Sequence, residues 1–394
     1  MGILIPLVIV VICCIIIWRA SDGFAAASNF IGRHLSEGVR GATINAIASS
    51  LPEVFTSIFF LFYLKDTDGF SGSIGTTAGS AIFNSMIIPA FAILTVVFSG
   101  LAKKINVSRK VYLRDGISLI VAEVIFIMLI TGQNLYWYHG FILVVVYFIY
   151  LIYMITSMPK GDKTQAIVHE DFIRHDLHET NWWFGFLTFD FERVIIGKRK
   201  EMSNKLAWPL LIVSTFAIAT VCLLLVQACE WLGNYRYTIP YLGEFYGLGI
   251  PILFVAVILA AMASSIPDTI ISMKDARRGN YDDAVSNALG SNIFDICFAM
   301  GFPLFIYTLV HGPIHMTPEV MALSAELRML LLILTIFTVL IYIWGNGLGK
   351  IKAFLLLLLY CVFTIYVVGI SQGNEYALKI SEVLNVMVSW FNIF

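Results

Sequence analysis

Apolar residues in this chain come in runs of about twenty, broken by short polar stretches, at 4–28, 39–64, 73–99, 112–131, 137–157, 206–230, 246–273, 281–309, 327–345 and 351–370. A helix of roughly that length crosses about 30 Å of hydrocarbon. The runs therefore predict an all-α polytopic membrane protein with ten transmembrane helices in two groups of five. One long polar stretch, Ser157 to Lys205, divides the groups; it carries eight Lys/Arg and eight Asp/Glu and is too hydrophilic to span. The resulting division is a first half over 1–156, a loop over 157–205, a second half over 206–371 and a tail over 372–394. Within the loop, Trp182, Trp183, Phe184 and Phe186 read as an interfacial segment. The weakly apolar stretch from Asn374 to Phe394 is either an interfacial helix or an eleventh span. The first run has no basic residue ahead of it and is read as a span rather than a cleaved leader.

Positive charge orients these runs, because loops rich in Lys and Arg stay cytoplasmic. With the long loop inside, 21 of the 25 basic residues fall on the inner side, leaving Lys65, Arg236, Arg328 and Lys379 outside. Both termini are then non-cytoplasmic. Five spans per half also invert the second half relative to the first.

Composition narrows the class further. Of 394 residues, 59% are hydrophobic and 13% charged, which excludes a soluble globular protein. A net charge of −1 leaves no basic face for nucleic acid. The six cysteines show no C-x-x-C pair and no clustering with histidine, and read as small core or lipid-facing residues. No nucleotide loop or nucleophile with base spacing is visible, so neither an enzyme nor a cofactor is expected.

The chemistry lies in a repeated motif. Ala48-Ser-Ser-Leu-Pro-Glu53 in the second run returns as Ala263-Ser-Ser-Ile-Pro-Asp268 in the seventh. In each half a second element follows, Gly79-Ser-Ala-Ile-Phe-Asn84 and Gly290-Ser-Asn-Ile-Phe-Asp295. Two elements repeated in order, in halves of opposite orientation, form an inverted repeat. Pro52 and Pro267 remove a backbone donor and should break each helix near mid-membrane. Ser49, Ser50, Ser264 and Ser265 add hydroxyls there, and Glu53 and Asp268 add carboxylates. Asn84 and Asp295 supply a second pair of oxygens, while Gly79 and Gly290 should let helices approach closely. A mid-membrane carboxylate costs about 2.5–3.5 kcal/mol even on the lenient insertion scale, and the runs place no Lys or Arg near mid-span to pair with it. Oxygen-only ligation suits hard cations, Ca2+ and Na+.

With these motifs the chain resembles the calcium/cation antiporter superfamily, specifically the sodium/calcium exchangers, whose two repeats carry G-[ST]-S-x-P-[ED] and a following G-S-x-x-x-[ND]. Its second repeat is most similar to the potassium-dependent sodium/calcium exchangers. The resemblance covers all ten runs and implies a Ca2+/Na+ antiporter, with K+ as an additional ion. It implies central acids at Glu53 and Asp268 and a flanking amide and acid at Asn84 and Asp295. The implied hydroxyl ligands are Ser49, Ser50, Ser80, Ser264, Ser265 and Ser291, and the carbonyl donors Ala46 and Ala261. Ala48 and Ala263 depart from the family's glycine. The competing readings are a Ca2+ or other divalent-cation/proton antiporter, an uncoupled cation channel and a membrane scaffold. Partners implied are the transported cations and the lipid bilayer; the sequence sets no oligomeric state.

Other signals are weaker. The run from His169 to Glu179, with three histidines, reads as a solvated charged helix rather than a metal site. Asp66, Asp68, Asp275, Asp282 and Asp283 read as ordinary loop charges beside the spans. Glu123 is the one other mid-span acid; it reads either as a second ion or proton position or as a hydrogen-bond partner of a neighbouring span, and the hydrogen bond is the expectation. The central loop is too short for a β-sandwich sensor domain of about 100 residues.

Overall fold

The computed structural model describes residues 2–31, 46–157, 182–197 and 202–390. Seven of its helices are each long and apolar enough to cross a membrane. These are α1 (Leu4–Ile31), α4 (Asp66–Phe98), α6 (Trp137–Ser157), α9 (Asn204–Gly233), the Tyr281–His311 rod, α15 (Pro318–Ile343) and α16 (Lys350–Ser371). An eighth forms if the bent pair Ile252–Ser264 and Ile266–Arg277, angled by 42°, counts as one span. The chain is thus a multi-pass helical membrane protein. Two expected runs take other forms. In the second, the described part is α2 (Ala46–Ser49), then α3 (Leu51–Phe59) with a π turn over Phe60–Leu64. The fourth is α5 (Arg109–Leu129), which carries Arg114, Asp115 and Glu123.

Both motif helices break where proline requires it. The break falls two residues before each proline, at Ser50 and Ser265, so Pro52 and Pro267 sit in the first turn of the next segment, where the missing N–H costs nothing. In the second motif the chain runs α10 (Ile252–Val255), a π turn Ala256–Ala260, α11 (Ala261–Ser264) and α12 (Ile266–Arg277). The rod over 281–311 is α13 (Tyr281–Phe294), a π turn Asp295–Ala299 and α14 (Gly301–His311). Single π turns of this kind concentrate at functional sites.

Helix α4 is the central column. Its sequence from Gly72 to Ala81 is almost entirely small, and the column is buried nearly throughout. At Gly79 a Cβ would collide with the Val257 carbonyl oxygen and come within 2.8 Å of Ala261 Cβ. The backbone of the second motif therefore lies directly on that of the first. Gly290 behaves otherwise than expected: a Cβ there would meet only Tyr150 Oη, at 3.6 Å. No close approach depends on it. A tight turn joins the π turn at 60–64 to α4, with Lys65 and Asp66 both at positive φ. Tyr307 accepts from the Asp66 amide at 3.0 Å and donates to its carboxylate at 3.1 Å, holding that turn against α14.

Two expectations are corrected. The span expected at 327–345 begins at Pro318, so Arg328 lies well inside α15, 1% exposed, and not in an outer loop. Its Nη1 donates to the Ile130 carbonyl at the end of α5 at 2.5 Å, and Glu326 accepts from Tyr366 and Ser381, which is how charged residues persist in this helix. The all-α description also needs two short antiparallel pairs, β1 (Asn134–Leu135) with β4 (Ile314–His315) and β2 (Arg236–Ile239) with β3 (Gly243–Tyr246). Of the two forms left open for the tail, a further span is disfavoured: the tail forms α17 (Glu375–Ser389), capped by Asn374, whose 15 residues reach about 22 Å, too short to span.

Two short helices, α7 (Trp182–Leu187) and α8 (Phe191–Ile196), are the described part of the central loop. Trp183 and Phe186 are exposed on α7. The His169–Glu179 run lies outside the described residues.

Candidate functional site

The breaks in α2–α3 and α11–α12 bring the two motif copies face to face beside the column α4. Glu53, Asn84, Asp268 and Asp295 are all fully buried, together with Ser49, Ser50, Ser80, Ser264, Ser265 and Ser291. Residues more than 200 positions apart thus share one polar centre in an apolar protein.

Ser80 is its hub. Its hydroxyl lies 3.1 Å from Glu53 Oε1, 2.9 Å from Asp295 Oδ2 and 2.7 Å from Ser265 Oγ. Asn84 Nδ2 donates to Asp295 Oδ2 at 3.2 Å. On the other side, Ser291 Oγ donates to Asp268 Oδ1 at 2.9 Å. The remaining serines cross between the copies: Ser49 lies against Asp268, Ser264 against Glu53 and Ser50 against Asp295. The Ala261 carbonyl is engaged by Ser265 N at 3.1 Å and Ser264 Oγ at 3.2 Å. Ala46 opens α2.

The hydrogen bonds use one oxygen of each carboxylate and leave the amide oxygen of Asn84 unused. Glu53 Oε2, Asp268 Oδ2, Asp295 Oδ1 and Asn84 Oδ1 are each buried without a hydrogen bond. Every one of the four residues thus spends one polar atom on holding its position and keeps one oxygen free. None of the three carboxylates has an ion-pair partner among the described residues. Buried unpaired oxygens of this kind cost several kcal/mol unless something fills the space between them. A hard cation is the group that oxygen atoms alone can hold.

Sequence reasoning missed Asn287. Its Nδ2 donates to Asp268 Oδ1 at 3.2 Å and to Ser272 Oγ at 3.3 Å, so Asp268 Oδ1 carries two donors. The signal was available, since Asn287, Ser291 and Asp295 recur every four residues and share one face of the rod. Its counterpart in the first copy, Thr76, instead donates to the Gly72 carbonyl of its own helix at 2.9 Å. Also missed were Ser57 and Ser73, which bond each other between α3 and α4.

A family model described as "Sodium/calcium exchanger protein" matches residues 5–156 and 206–369 of this chain. Among curated proteins, the human sodium/potassium/calcium exchanger 5 is 26% identical over 334 residues, covering 70% of this chain and 64% of that protein. The sodium/potassium/calcium exchanger 3 of Rattus norvegicus is 36% identical over 141 residues, 36% of this chain and 20% of that protein. The chain therefore spans less than two thirds of the length of these relatives. Among solved structures, the sodium-calcium exchanger NCX_Mj superposes with a TM-score of 0.53 at 21% identity, covering 91% of this chain and 97% of that one. The H+/Ca2+ exchanger CAX gives 0.60 at 13% identity, covering 97% and 92%. At these identities the likeness is one of fold.

Proposed function

The chain belongs to the sodium/calcium exchanger protein family, and from that premise we propose that it is a secondary antiporter exchanging Ca2+ for Na+ at the buried four-residue centre. The observation that carries this reading is the set of four free oxygens, one each from Glu53, Asn84, Asp268 and Asp295. Ca2+ takes six to eight oxygens. The serine hydroxyls of Ser49, Ser50, Ser80, Ser264, Ser265 and Ser291, with the carbonyls of Ala46 and Ala261, complete such a shell. Three ionised carboxylates give a charge of about −3, which one Ca2+ leaves at about −1 and three Na+ neutralise, so the exchange is electrogenic. A cycle that moves no net charge would contradict this.

The same reading assigns ten spans to two inverted five-helix halves, 1–156 and 206–371, around a cytoplasmic loop at 157–205, with 372–394 as a tail. Both termini face away from the cytoplasm, in a cell membrane. The matching motif copies and the crossed serine contacts support it. Access alternates as α1 and α9, which pack along each other, slide over the fixed centre. The chain resembles the potassium-dependent branch in its second motif, and K+ is proposed as a further transported ion with Asp295 as its acid. Neither an enzymatic step nor a cofactor enters this cycle.

Radiolabelled calcium uptake into proteoliposomes tests the reading, with Na+ inside, then choline, then a pH gradient alone, each with and without K+. Uptake that needs internal Na+ and disappears in Glu53→Gln and Asp268→Asn is the expected result. Uptake driven by the pH gradient alone would replace Na+ by H+ as counter-ion. Flux with no counter-ion would make the protein a channel.

A further inference from the structure

Away from the four-residue centre, Asp115, Glu123 and Glu326 are buried carboxylates of the spans, and of these three Glu123 is the one that keeps an oxygen without a hydrogen bond. Glu123 of α5 is 1% exposed. The Thr335 hydroxyl of α15 donates to its Oε1 at 2.6 Å, the bond to a neighbouring span that its position leads one to expect. That bond accounts for half of the group. Glu123 Oε2 has no hydrogen bond, and Glu123 forms no ion pair among the described residues. The physical problem posed by the main centre is repeated here in miniature.

The surroundings supply oxygen. Thr335, Thr338 and Tyr342 recur at i, i+3 and i+7 and make one polar seam down α15. The Thr338 hydroxyl is fully buried without a hydrogen bond. Tyr342 donates to the Ser85 carbonyl of α4 at 2.5 Å. Cys297, on the π turn 295–299, lies within electrostatic reach of Glu123. That turn is bonded from Met300 N to Asp295 O at 3.0 Å, a wider loop than the α-helical one, and it packs on α5.

We propose that Glu123, with Thr335, Thr338 and the π turn at 295–299, forms a second cation position, and that its occupant is a monovalent hard cation. Charge selects the valence: one carboxylate balances one positive charge, whereas a divalent ion would leave a net charge buried. The hard oxygens select an alkali cation over a soft metal. Because the π turn begins at Asp295, an ion held here presses on the helix that carries the main centre. The inference concerns an additional ion and does not depend on which ion drives antiport.

The test measures binding without flux. Purified full-length protein in lipid nanodiscs, calcium-free, is heated while NaCl or KCl replaces choline chloride at constant ionic strength, in a Glu53→Gln/Asp268→Asn/Asp295→Asn background that neutralises all three carboxylates of the main centre. The expected result is a saturable rise in Tm whose half-saturating concentration shifts about tenfold or more in Glu123→Gln and several-fold in Thr338→Val. Thr338→Val in the otherwise unaltered chain provides the same comparison if the triple variant does not fold. Titrations that superimpose for all these variants would overturn the proposal. So would an infrared protonated-carboxyl band in Na+- and K+-saturated protein that disappears in Glu123→Gln, because the occupant would then be a proton.

Discussion

Asn84 Nδ2 donates to Asp295 Oδ2 at 3.2 Å, joining two residues 211 positions apart in the chain. The bond orients both groups: Asn84 keeps its Oδ1 free and Asp295 keeps its Oδ1 free, and both are buried. The two motif copies are thereby equivalent in position but not in chemistry, amide on one side and acid on the other.

Neutralising that acid should weaken a divalent ion more than a monovalent one, because Coulomb energy scales with the product of the charges. In Asp295→Asn the half-saturating Ca2+ concentration is expected to rise by roughly tenfold or more, with a smaller rise for Na+. Equal shifts in parallel uptake titrations would count against a shared electrostatic centre.

Ser80 is the hydroxyl on which Glu53, Ser265 and Asp295 converge. Hydrogen bonds to charged groups contribute about 1.5–3 kcal/mol, so Ser80→Ala is expected to weaken Ca2+ binding roughly tenfold or more while leaving the protein folded. Ser80→Thr restores the hydroxyl and should recover part of the loss. Calcium titrations of the three proteins decide the point.

Gly79 and Gly290 occupy the same place in the two motifs and should tolerate substitution very differently. Gly79→Ala drives a Cβ into the Val257 backbone, whereas Gly290→Ala reaches only Tyr150 Oη at 3.6 Å. Overpacking of this kind costs about 1–3 kcal/mol and more when backbone must move. Size-exclusion profiles and Tm should show Gly79→Ala impaired and Gly290→Ala near the parent.

Asp115 anchors α13, the helix leading to Asp295. Its Oδ1 accepts from Arg114 Nε at 2.6 Å and its Oδ2 from Ser286 Oγ at 2.7 Å, and it is fully buried. Removing one partner of a buried pair costs about 3–5 kcal/mol. Loss of a single hydrogen bond to a charged group costs about 1.5–3 kcal/mol. Asp115→Ala should therefore lower Tm more than Ser286→Ala in the same lipid.

Glu192, on the central-loop helix α8, supplies a pH dependence outside the spans. Burial pushes its carboxyl up from 4.5 to about 7, with Asp190 and Asp22 adding repulsion and Lys274, which pairs with Asp22 at 3.2 Å, opposing it. A raised acid binds more proton docked than undocked. Docking of α8 against α1 and α9 thus weakens as pH rises from about 4.5 to about 7 and changes little above that. Hydrogen exchange of the 191–196 amides, corrected for intrinsic rate, should quicken over this window in the parent and not in Glu192→Gln.

Much of this protein was readable along the chain. Apolar runs located the long helices because hydrocarbon thickness sets a length that composition alone reports. The duplicated Ser-Ser-x-Pro-acid element revealed where helices break, since proline acts on its own backbone wherever it stands. The acids themselves stood out because an apolar run tolerates so few of them.

Tertiary packing decided the rest. Periodicity could not place Arg328 or Glu326 inside a span, because their acceptors, Ile130, Tyr366 and Ser381, come from other helices. Nor could it separate Gly79 from Gly290, identical in motif, since only one of them faces another backbone. Asn287 became a partner of Asp268 only when two helices met. Helix length, helix breaks and charge are local properties, carried by each residue and its immediate neighbours. Which oxygen is occupied and which stays free depends on atoms hundreds of residues away, and only the folded chain brings them together.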